Sequence, residues 1–265
     1  MLMVGSDPEM QLINRNGEVI SAIDLIPGTK ENPFKTKHGS VQWDNIFAEV
    51  NSLPSKNADE FVLHHHLILN DLRDIIKPLD LNLQFMASVL AGPSLLSDPR
   101  ANQAGCDPDF SAWELCPNEP ADYSVTSIRA SGGHLHCSFD QAKGEDGEEN
   151  RIKFVRALDL VLGVPSTIHD RDTDRRKYYG KAGSFRPKYS DQHGYDGVEY
   201  RTLSNFWLKS DDLMRMVFSG VELVHNNLDH FSSLAEQFKD DIISIINNGD
   251  YKSAQRLSKE VGLCV

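Results

Sequence analysis

Residues 132–139 read Gly-Gly-His-Leu-His-Cys-Ser-Phe, a spelling that is typical of an extended strand with one polar face. Side chains two positions apart in a strand lie on the same face, so His134, His136 and Ser138 are predicted to lie side by side. The two glycines allow another backbone to approach closely where the strand begins. The stretch therefore predicts a strand that presents two imidazoles and a hydroxyl.

Two other segments repeat this spacing. Asp7 and Glu9 are separated by one residue, and so are Glu199 and Arg201. Each pair is expected to share a strand face. Imidazole and carboxylates from separate strands suit a divalent metal, and an arginine beside a carboxylate suits an anionic substrate. The three segments together favour phosphate chemistry.

A metal is expected if these strands are neighbours in one sheet. Glu9, Glu49, His134 and Glu199 would then gather like charges that a bound cation makes tolerable. Oxygen-rich ligand sets favour Mg²⁺ or Mn²⁺ over Zn²⁺. The chain has neither a Gly-x-x-x-x-Gly-Lys-Ser/Thr segment nor a Gly-x-Gly-x-x-Gly segment, so metals and arginines would have to hold any phosphates.

The order of strand and helix patterns predicts an α+β fold. Alternating segments with turn residues predict a hairpin over 10–20, a hairpin or two short strands over 40–51, and a strand over 83–90 followed by a long loop to about 123. Helical spacing predicts helices over 58–76 and 151–162, the second ended by the Gly-Val-Pro of 163–165. Three more helices are predicted after Ser210, which is a good N-cap residue, over about 211–230, 234–247 and 251–261. We expect a mainly antiparallel, curved sheet with helices packed on one face, in one domain over 1–265.

Composition limits the class of protein. The chain has 265 residues, 40% hydrophobic residues and a formal net charge of −12. The charge argues against nucleic acid as a partner, and no apolar run reaches the roughly 20 residues that cross a bilayer. The N-terminal residues lack a secretory pattern, so a cytoplasmic location is expected. Cys106, Cys116, Cys137 and Cys264 form no Cys-x-x-Cys pair and are expected to be free thiols.

A basic segment at 171–188 stands out in this acidic chain. It admits two interpretations, a solvated loop or a source of phosphate-binding arginines. Tyrosines are interleaved with the cations. The cations are Arg171, Arg175, Arg176, Lys177, Lys181, Arg186 and Lys188.

The motifs, taken in order, resemble the glutamine synthetase-type carboxylate-amine ligases, and the chain most resembles the compact phage-borne COOH-NH2 ligase type 2 family. The resemblance runs from about residue 5 to 208 and leaves out the C-terminal helices. The segments that carry it are Gly-Ser-Asp-Pro-Glu at 5–9, Val-Gln-Trp-Asp at 41–44 through Glu-Val-Asn at 49–51, Gly-Cys-Asp-Pro-Asp at 105–109 with Ala-Trp at 112–113, the 132–138 strand, and Gly-Val-Glu-Tyr-Arg-Thr at 197–202 with Asn-Phe-Trp at 205–207.

The resemblance implies a glutamine synthetase catalytic-domain-like sheet that holds two or three Mg²⁺ or Mn²⁺ ions, with ATP across them. A carboxylate substrate would be activated as an acyl phosphate and then joined to an amine acceptor. It implies that Arg201 holds the acceptor carboxylate or the phosphoryl group. The implied metal ligands are Asp7, Glu9, Glu49, His134 and Glu199.

The resemblance also implies roles for two further sets of residues. One set stabilises the transferring phosphate, as arginines commonly do in phosphoryl transfer. The other lies nearer the nucleotide than the metals do. The first set is Arg175, Arg176 and Arg186, and the second is His136, Ser138 and Lys181.

Several residues keep two interpretations. Asp44 lies closer to Glu49 than the family's carboxylate spacing, so its role stays open. Asp107 and Asp109 either cap a turn or bind the amine. Cys106 has no histidine pattern that would support an activated thiol. The triple histidine at 64–66 is interpreted as surface and flank, because consecutive helical residues point about 100° apart.

Three classes of function remain open beside one another. The first is ATP-dependent amide or peptide bond formation, acting in the host cytoplasm if a phage encodes the chain. The second is a phosphotransferase that phosphorylates a guanidino or carboxylate group on the same fold. The third is a non-catalytic phage structural or binding protein, and a metal-dependent hydrolase is a weaker option. Neither the two substrates nor the oligomeric state follows from the sequence.

Overall fold

A computed structural model of the protein describes residues 1–102, 109–120 and 122–263. Within these residues the chain combines short antiparallel strands with a helical C-terminal part, so the predicted α+β class is confirmed. The strands are β1 (Met3–Ser6), β2 (Glu9–Ile13), β3 (Val19–Ile20), β4 (Phe34–Thr36), β5 (Gly39–Asp44), β6 (Phe47–Ser52), β7 (Asn82–Gln84), β8 (Ser88–Leu90), β9 (Phe110–Ser111), β10 (Cys116–Pro117), β11 (Ile128–Ala130), β12 (Leu135–Ser138), β13 (Ser184–Lys188) and β14 (Gly197–Tyr200). The helices are α1 (Ala58–Ile76), α2 (Pro93–Leu96), α3 (Gly147–Leu158), α4 (Val164–His169), α5 (Asp174–Tyr178), α6 (Ser190–His193), α7 (Asp211–Asn226), α8 (Leu228–Gln237), α9 (Lys239–Asn248) and α10 (Tyr251–Glu260).

The strands form two main sheets, where the sequence predicted one. The first sheet has the order β1-β12-β14-β13-β9-β10, and the second has the order β3-β2-β6-β5-β4 with β7 also paired to β2. The chain crosses from the first sheet to the second at Asp7 and Pro8, between β1 and β2. Proline cannot donate a ladder hydrogen bond, so it suits a break between strands. We call Ser6–Glu9 the junction.

The predicted hairpins are present. The turn between β2 and β3 contains Gly17, whose φ of 79° is readily adopted by glycine. The turn between β5 and β6 places Asn45 at a φ of 52°, a left-handed conformation that asparagine tolerates. The predicted strand at 83–90 is instead split into β7 and β8, which join different sheets.

Helix α1 has the predicted bounds. Its N-cap Asn57 accepts a hydrogen bond from the Glu60 backbone N–H, and Phe61, Ile68 and Leu72 are buried along one face. This face packs against β5, β6 and β7, whereas α3 packs against β13 and β14. Helix α7 contacts both α1 and α3, so the helices form a connected layer against both sheets.

The helix predicted to end at Gly163 continues past that residue. After α3 the chain makes one π-helical turn over Asp159–Gly163 and enters α4 directly. Pro165 lies in the first turn of α4, where a missing N–H costs little, so the proline does not end the helix.

The C-terminal helices are more numerous than predicted. Ser210 caps α7 as expected, with its hydroxyl accepting from the Leu213 N–H, but α7 ends at Asn226 and α8 follows at once. Of the helices that the structure describes, none is long and apolar enough to cross a membrane.

Candidate active site

Two groups of side chains meet at the junction, and each could hold a metal ion. In each group the three ligand atoms lie within 4.8 Å of one another. Asp7 and Glu9, which were predicted to share one face, therefore belong to different groups, because the chain changes sheets between them. The groups are the mixed group, Asp7, His136 and Glu199, and the acidic group, Glu9, Asp44 and Glu49.

The acidic group is formed by three strands of the second sheet. Glu9 on β2 lies directly opposite Glu49 on β6, and Asp44 ends the neighbouring strand β5. Glu9 accepts a 2.8 Å hydrogen bond from the Gly132 N–H, and Glu49 accepts one of 3.0 Å from the Gln42 side chain. The structure therefore brings Asp44, whose role the sequence left open, to the predicted ligands.

The carboxylates of the acidic group repel one another. Burial, followed by the charge of Asp44, raises the pKa of Glu9 from 4.5 to about 8. Burial likewise raises the pKa of Asp44, although Lys30 acts in the opposite direction. Like charges opposite each other in a sheet destabilise it unless a proton or a cation compensates them.

The mixed group lies where three strands of the first sheet meet. His136 on β12 is paired with Glu199 on β14, and Asp7 follows β1 on the other side. The Asp7 carboxylate lies 3.2 Å from His136 Nε2 and 3.2 Å from His134 Nδ1. Burial alone would raise the pKa of Asp7, but His136 and His134 hold it well below its ordinary value.

Three cations surround Glu199. Arg201 Nη1 donates to Glu199 Oε1, Lys188 Nζ lies 2.6 Å from Oε2, and Arg186 Nη1 lies 3.5 Å from Oε1. Burial opposes ionisation, yet Arg201 first and His136 next hold the pKa of Glu199 well below its usual range. Lys188 was not predicted as a site residue, although its spacing of two from Arg186 in a strand places the two side chains on one face.

Each imidazole has one nitrogen facing Asp7 and the other beside a tyrosine hydroxyl. Tyr179 OH lies 3.0 Å from His134 Nε2, and Tyr195 OH lies 3.2 Å from His136 Nδ1. Tyr179 also accepts a hydrogen bond from Arg201 Nη2. Such partners orient metal-ligating histidines in other proteins. The sequence showed Tyr179 only as an aromatic residue within the basic segment, with no signal for this contact.

Both groups have the chemistry of a divalent-cation site. Carboxylate oxygens with at most one or two imidazole nitrogens suit Mg²⁺ or Mn²⁺. Within the described part of the chain, three buried atoms around Asp7 make no well-formed hydrogen bond: both imidazole nitrogens lie 3.2 Å from the Asp7 carboxylate, and a cation could bind between them. These atoms are Asp7 Oδ1, His134 Nδ1 and His136 Nε2.

Asp109 is also brought to the site. Its carboxylate accepts from Arg201 Nε at 3.1 Å and from the Asn118 side chain at 2.8 Å. Asp109 therefore contacts a residue of the site, and its role in binding the amine stays a prediction. Asp107 and Cys106 lie outside the described residues.

Two of the predicted phosphate-stabilising arginines do not face the site. The guanidinium of Arg175 is buried and donates to the carbonyls of Ser131, Thr202 and Leu203 at 2.8–2.9 Å. Arg176 is buried beside α9 and donates to the Ile246 carbonyl at 3.2 Å, and burial lowers its pKa to about 10. Both predictions are corrected: backbone carbonyls occupy the donors of Arg175, and Arg176 is buried against Ile246 and Ser166 instead of facing either group.

The remaining predicted residues lie at different distances from the two groups. Arg186 lies beside Glu199, and its role toward a phosphate stays a prediction. Ser138 is half-buried at the end of β12 and pairs with Gly197. Lys181 is exposed in the turn before β13, and its carbonyl accepts from the Ser184 N–H. Whether Ser138 and Lys181 contact a nucleotide stays a prediction.

The histidines at 64–66 are not all on the surface, which corrects that interpretation. His65 is fully buried against Phe61 and Trp207, and burial lowers its pKa to about 4. Its Nδ1 donates to the Phe61 carbonyl at 2.6 Å, so Nε2 accepts from the Ser6 hydroxyl at 2.5 Å. The middle histidine therefore anchors the start of the junction.

Comparisons with solved structures give distant likenesses. An apo structure titled GmaS without ligand is 14% identical, with a TM-score of 0.43, and is matched over 98% of this chain and 68% of that one. A structure titled as a novel glutamine synthase homolog is 13% identical at a TM-score of 0.43, with 98% and 66% covered. A bifunctional glutathione synthetase from Pasteurella multocida is 11% identical at a TM-score of 0.42, with 98% and 49% covered.

No curated protein sequence matches the chain. A family model does, over residues 123–259, which is more than half of the chain. The match includes the 132–138 and 197–202 motifs and extends through most of the C-terminal helices, so the expectation that these helices take no part in the resemblance is wrong. The matching model is described as Phage phiEco32-like COOH.NH2 ligase-type 2, and this chain belongs to that family of carboxylate–amine ligases.

Proposed function

We propose that the protein forms an amide or peptide bond between a carboxylate and an amine, at the expense of ATP and with Mg²⁺ or Mn²⁺. One observation carries the proposal: two candidate cation sites meet at a single junction, and Arg201, Lys188 and Arg186 surround Glu199 in one of them. Divalent ions and fixed cations together suit a substrate that bears several phosphates and a carboxylate. We place the whole of 1–265 in one catalytic domain that acts in the cytoplasm.

The acidic group would hold one ion, and Asp7, Glu199 and an imidazole would hold another. When bound, these ions neutralise phosphate oxygens during transfer. Geometry favours His136 for the second ion, and His134 stays a candidate because its Nδ1 lies 3.9 Å from Glu199. The number of ions and the choice of imidazole are part of the proposal.

The fixed cations would bind the reacting anions. Arg186 and Lys188 lie on β13 and face Glu199, where an arriving phosphate could replace the carboxylate as their partner. Arg201 is 1% exposed and is held by Glu199 and Asp109, so it would orient the carboxylate or phosphoryl group. A preorganised arginine stabilises charge at low reorganisation cost.

The reaction would proceed in two transfers. A carboxylate oxygen of the substrate attacks the γ-phosphorus of ATP, the bond to the β-phosphate oxygen breaks, and ADP and an acyl phosphate result. The amine nitrogen then attacks the acyl carbon, inorganic phosphate leaves with the bonding electrons, and the amine loses a proton. Asp109 is the carboxylate we assign to attracting the amine and accepting that proton.

The test is a product analysis of the purified protein with ATP, MgCl₂ or MnCl₂, and pools of carboxylates and amines. We expect ADP, phosphate and an amide, with turnover lost in the Glu9→Ala and His136→Ala variants. A stable phosphorylated product without an amide would instead establish a phosphotransferase. Absence of nucleotide turnover with every pool would count against both enzymes.

A crystal soaked with Mg²⁺ and a non-hydrolysable ATP analogue tests the ligand assignment directly. We expect density for ions against Glu9, Glu49 and Glu199, with the terminal phosphate beside Arg186 or Lys188. Phosphates bound elsewhere on the protein would overturn the assignment.

A further inference from the structure

A buried carboxylate lies behind the site and takes no part in the chemistry proposed above. Asp159 has no exposed surface and begins the π-helical turn that joins α3 to α4. π-Helical turns inside longer helices are found frequently at functional sites. An aspartate in this apolar setting costs free energy unless several donors satisfy it.

Four donors converge on the Asp159 carboxylate. Oδ2 lies 2.7 Å from Trp113 Nε1 and 2.5 Å from the Gly183 N–H. Oδ1 lies 2.8 Å from the Tyr200 hydroxyl and 3.1 Å from the Thr202 hydroxyl. The Thr202 hydroxyl is also 3.1 Å from the Lys181 carbonyl, so its proton serves one acceptor at a time.

These donors come from the three segments that hold Arg201 in place. Tyr200 and Thr202 are its chain neighbours on either side. Gly183 precedes Ser184, whose carbonyl accepts the Arg201 N–H at 2.9 Å. Trp113 belongs to the same loop and strand region as Asp109, the residue that accepts from Arg201 Nε.

We propose that Asp159 is a positioning residue that fixes Arg201 for the ligase reaction. The inference rests on the proposed function for its meaning in catalysis, but its geometric part concerns this chain alone. Because all four partners donate, an ionised carboxylate satisfies every one of them, whereas an amide at the same place would turn N–H groups toward N–H or O–H donors. Burial raises the pKa of Asp159 to about 6, and the four donors act against that rise.

A second buried aspartate, Asp170, provides a matched control. Asp170 is also buried, and it accepts from the Ser204 hydroxyl at 2.7 Å. Ser204 follows the same strand but neither flanks nor contacts Arg201. The Asp170→Asn variant therefore reproduces the loss of a buried charge without loosening Arg201.

The first measurement does not depend on activity. The Nε–H resonance of Arg201 in a ¹⁵N spectrum is assigned by its disappearance in the Arg201→Lys variant. We expect this resonance to shift or broaden in Asp159→Asn and to stay unchanged in Asp170→Asn. An unchanged resonance in Asp159→Asn would overturn the proposal. If Asp159→Asn does not fold, Thr202→Val and Tyr200→Phe each remove one donor and should shift the same resonance.

The second measurement uses the turnover of ATP to ADP. A displacement of about 1 Å can cost on the order of 10²-fold in rate, so we expect kcat to fall roughly 10- to 100-fold in Asp159→Asn. In an Arg201→Lys background the same change should cost less than about 3-fold, because residues that act through one another are not additive. Losses that multiply would show that Asp159 does not act through Arg201.

The two measurements separate failure of this proposal from failure of the proposed function. If the protein has no turnover with any substrate pool, the resonance of Arg201 still reports whether Asp159 positions it. If turnover is present and the resonance and the double-variant cycle show no coupling, the positioning role alone is refuted.

Discussion

The acidic group and the mixed group offer similar ligand atoms to a metal ion, but the pKa values of their buried glutamates are shifted in opposite directions. In the acidic group burial and the charge of Asp44 raise the pKa of Glu9 to about 8, so this carboxyl favours a bound proton or a cation at neutral pH. In the mixed group Arg201, Lys188 and Arg186 hold the pKa of Glu199 low despite burial. The acidic group is therefore expected to bind a divalent ion first, whereas the mixed group is expected to need an arriving anion that draws the cations away from Glu199.

The largest expected effect comes from removing one charge of the acidic group. Glu9→Gln should lower ATP turnover roughly 10²- to 10³-fold, the scale seen when a group that stabilises transition-state charge is lost. It should also weaken Mn²⁺ binding in calorimetry. Thermal stability of the metal-free protein at neutral pH should not fall, because a Glu9 carboxyl with a pKa of about 8 is largely neutral there and the amide keeps an oxygen that can accept from the Gly132 N–H.

The exposed Glu222→Gln is the matched control for Glu9→Gln, since it makes the same chemical change far from any candidate ligand group. Turnover and Mn²⁺ affinity should equal those of the unmodified protein. Equal behaviour of the two variants would break the comparison by showing that the acidic group binds no essential ion.

A second pair of variants separates the arginine that faces the site from the one that does not. Arg201→Lys should lower kcat by about 10²-fold, because lysine cannot reproduce the fork of contacts to Glu199 and Asp109. Arg175→Lys should mainly lower the unfolding temperature, since the guanidinium donates to the carbonyls of Ser131, Thr202 and Leu203.

Turnover and thermal denaturation, measured on both variants, decide the matter. The reverse pattern, with activity lost in Arg175→Lys and retained in Arg201→Lys, would restore the role that the sequence suggested for Arg175.

Local signals in the sequence were sufficient for much of the fold. The helical spacing of the apolar residues predicted the bounds of α1, and the turn residues around Gly17 placed the first hairpin. The split into two sheets at the junction could not be seen, because Asp7 and Glu9 have the spacing of a single strand and only long-range pairing separates them. The continued helix through Pro165 was missed because glycine and proline commonly end a helix, whereas here Gly163 lies in a π-helical turn and Pro165 in the first turn of α4.

The sequence also identified most residues that the structure brings together at the site, including Glu9, Glu49 and Glu199. It could not distinguish Arg186, which faces Glu199, from Arg175, which is buried. The partners of Arg175 are backbone carbonyls near residues 131 and 201–203, and no composition rule places those carbonyls beside it. Long-range contacts of this kind decide whether an arginine binds a ligand or the protein itself.

The third prediction concerns pH and sharpens the difference in protonation between the groups. Glu9 has a pKa of about 8 in the folded chain against 4.5 ordinarily, so the folded state binds its proton more tightly. Its contribution to stability is fully present below about pH 4.5 and is lost as the pH rises through 8. The free energy of unfolding of the metal-free protein should therefore fall by on the order of a few kcal/mol between pH 5 and pH 9.

Denaturation in the presence of a chelator measures this slope, and Glu9→Gln is the control that should flatten it. Saturating Mg²⁺ should reverse the trend, because the ion takes the place of the proton and binds the deprotonated carboxylates. A slope that persists in Glu9→Gln would assign the titration to another residue.

The smallest expected effect comes from removing one of the cations beside Glu199 in the mixed group. Lys188→Met keeps the length of the side chain and removes the charge that lies 2.6 Å from Glu199 Oε2. The carboxylate then has one fewer competing cation, so Mn²⁺ should bind the mixed group roughly 3- to 10-fold more tightly, which corresponds to about 1 kcal/mol. Calorimetry in a Glu9→Gln background isolates this site from the acidic group. The exposed Lys177→Met variant is the control, because it removes the same charge elsewhere on the protein. If Mn²⁺ affinity rises equally in both variants, net charge explains the gain and the position of Lys188 beside Glu199 does not.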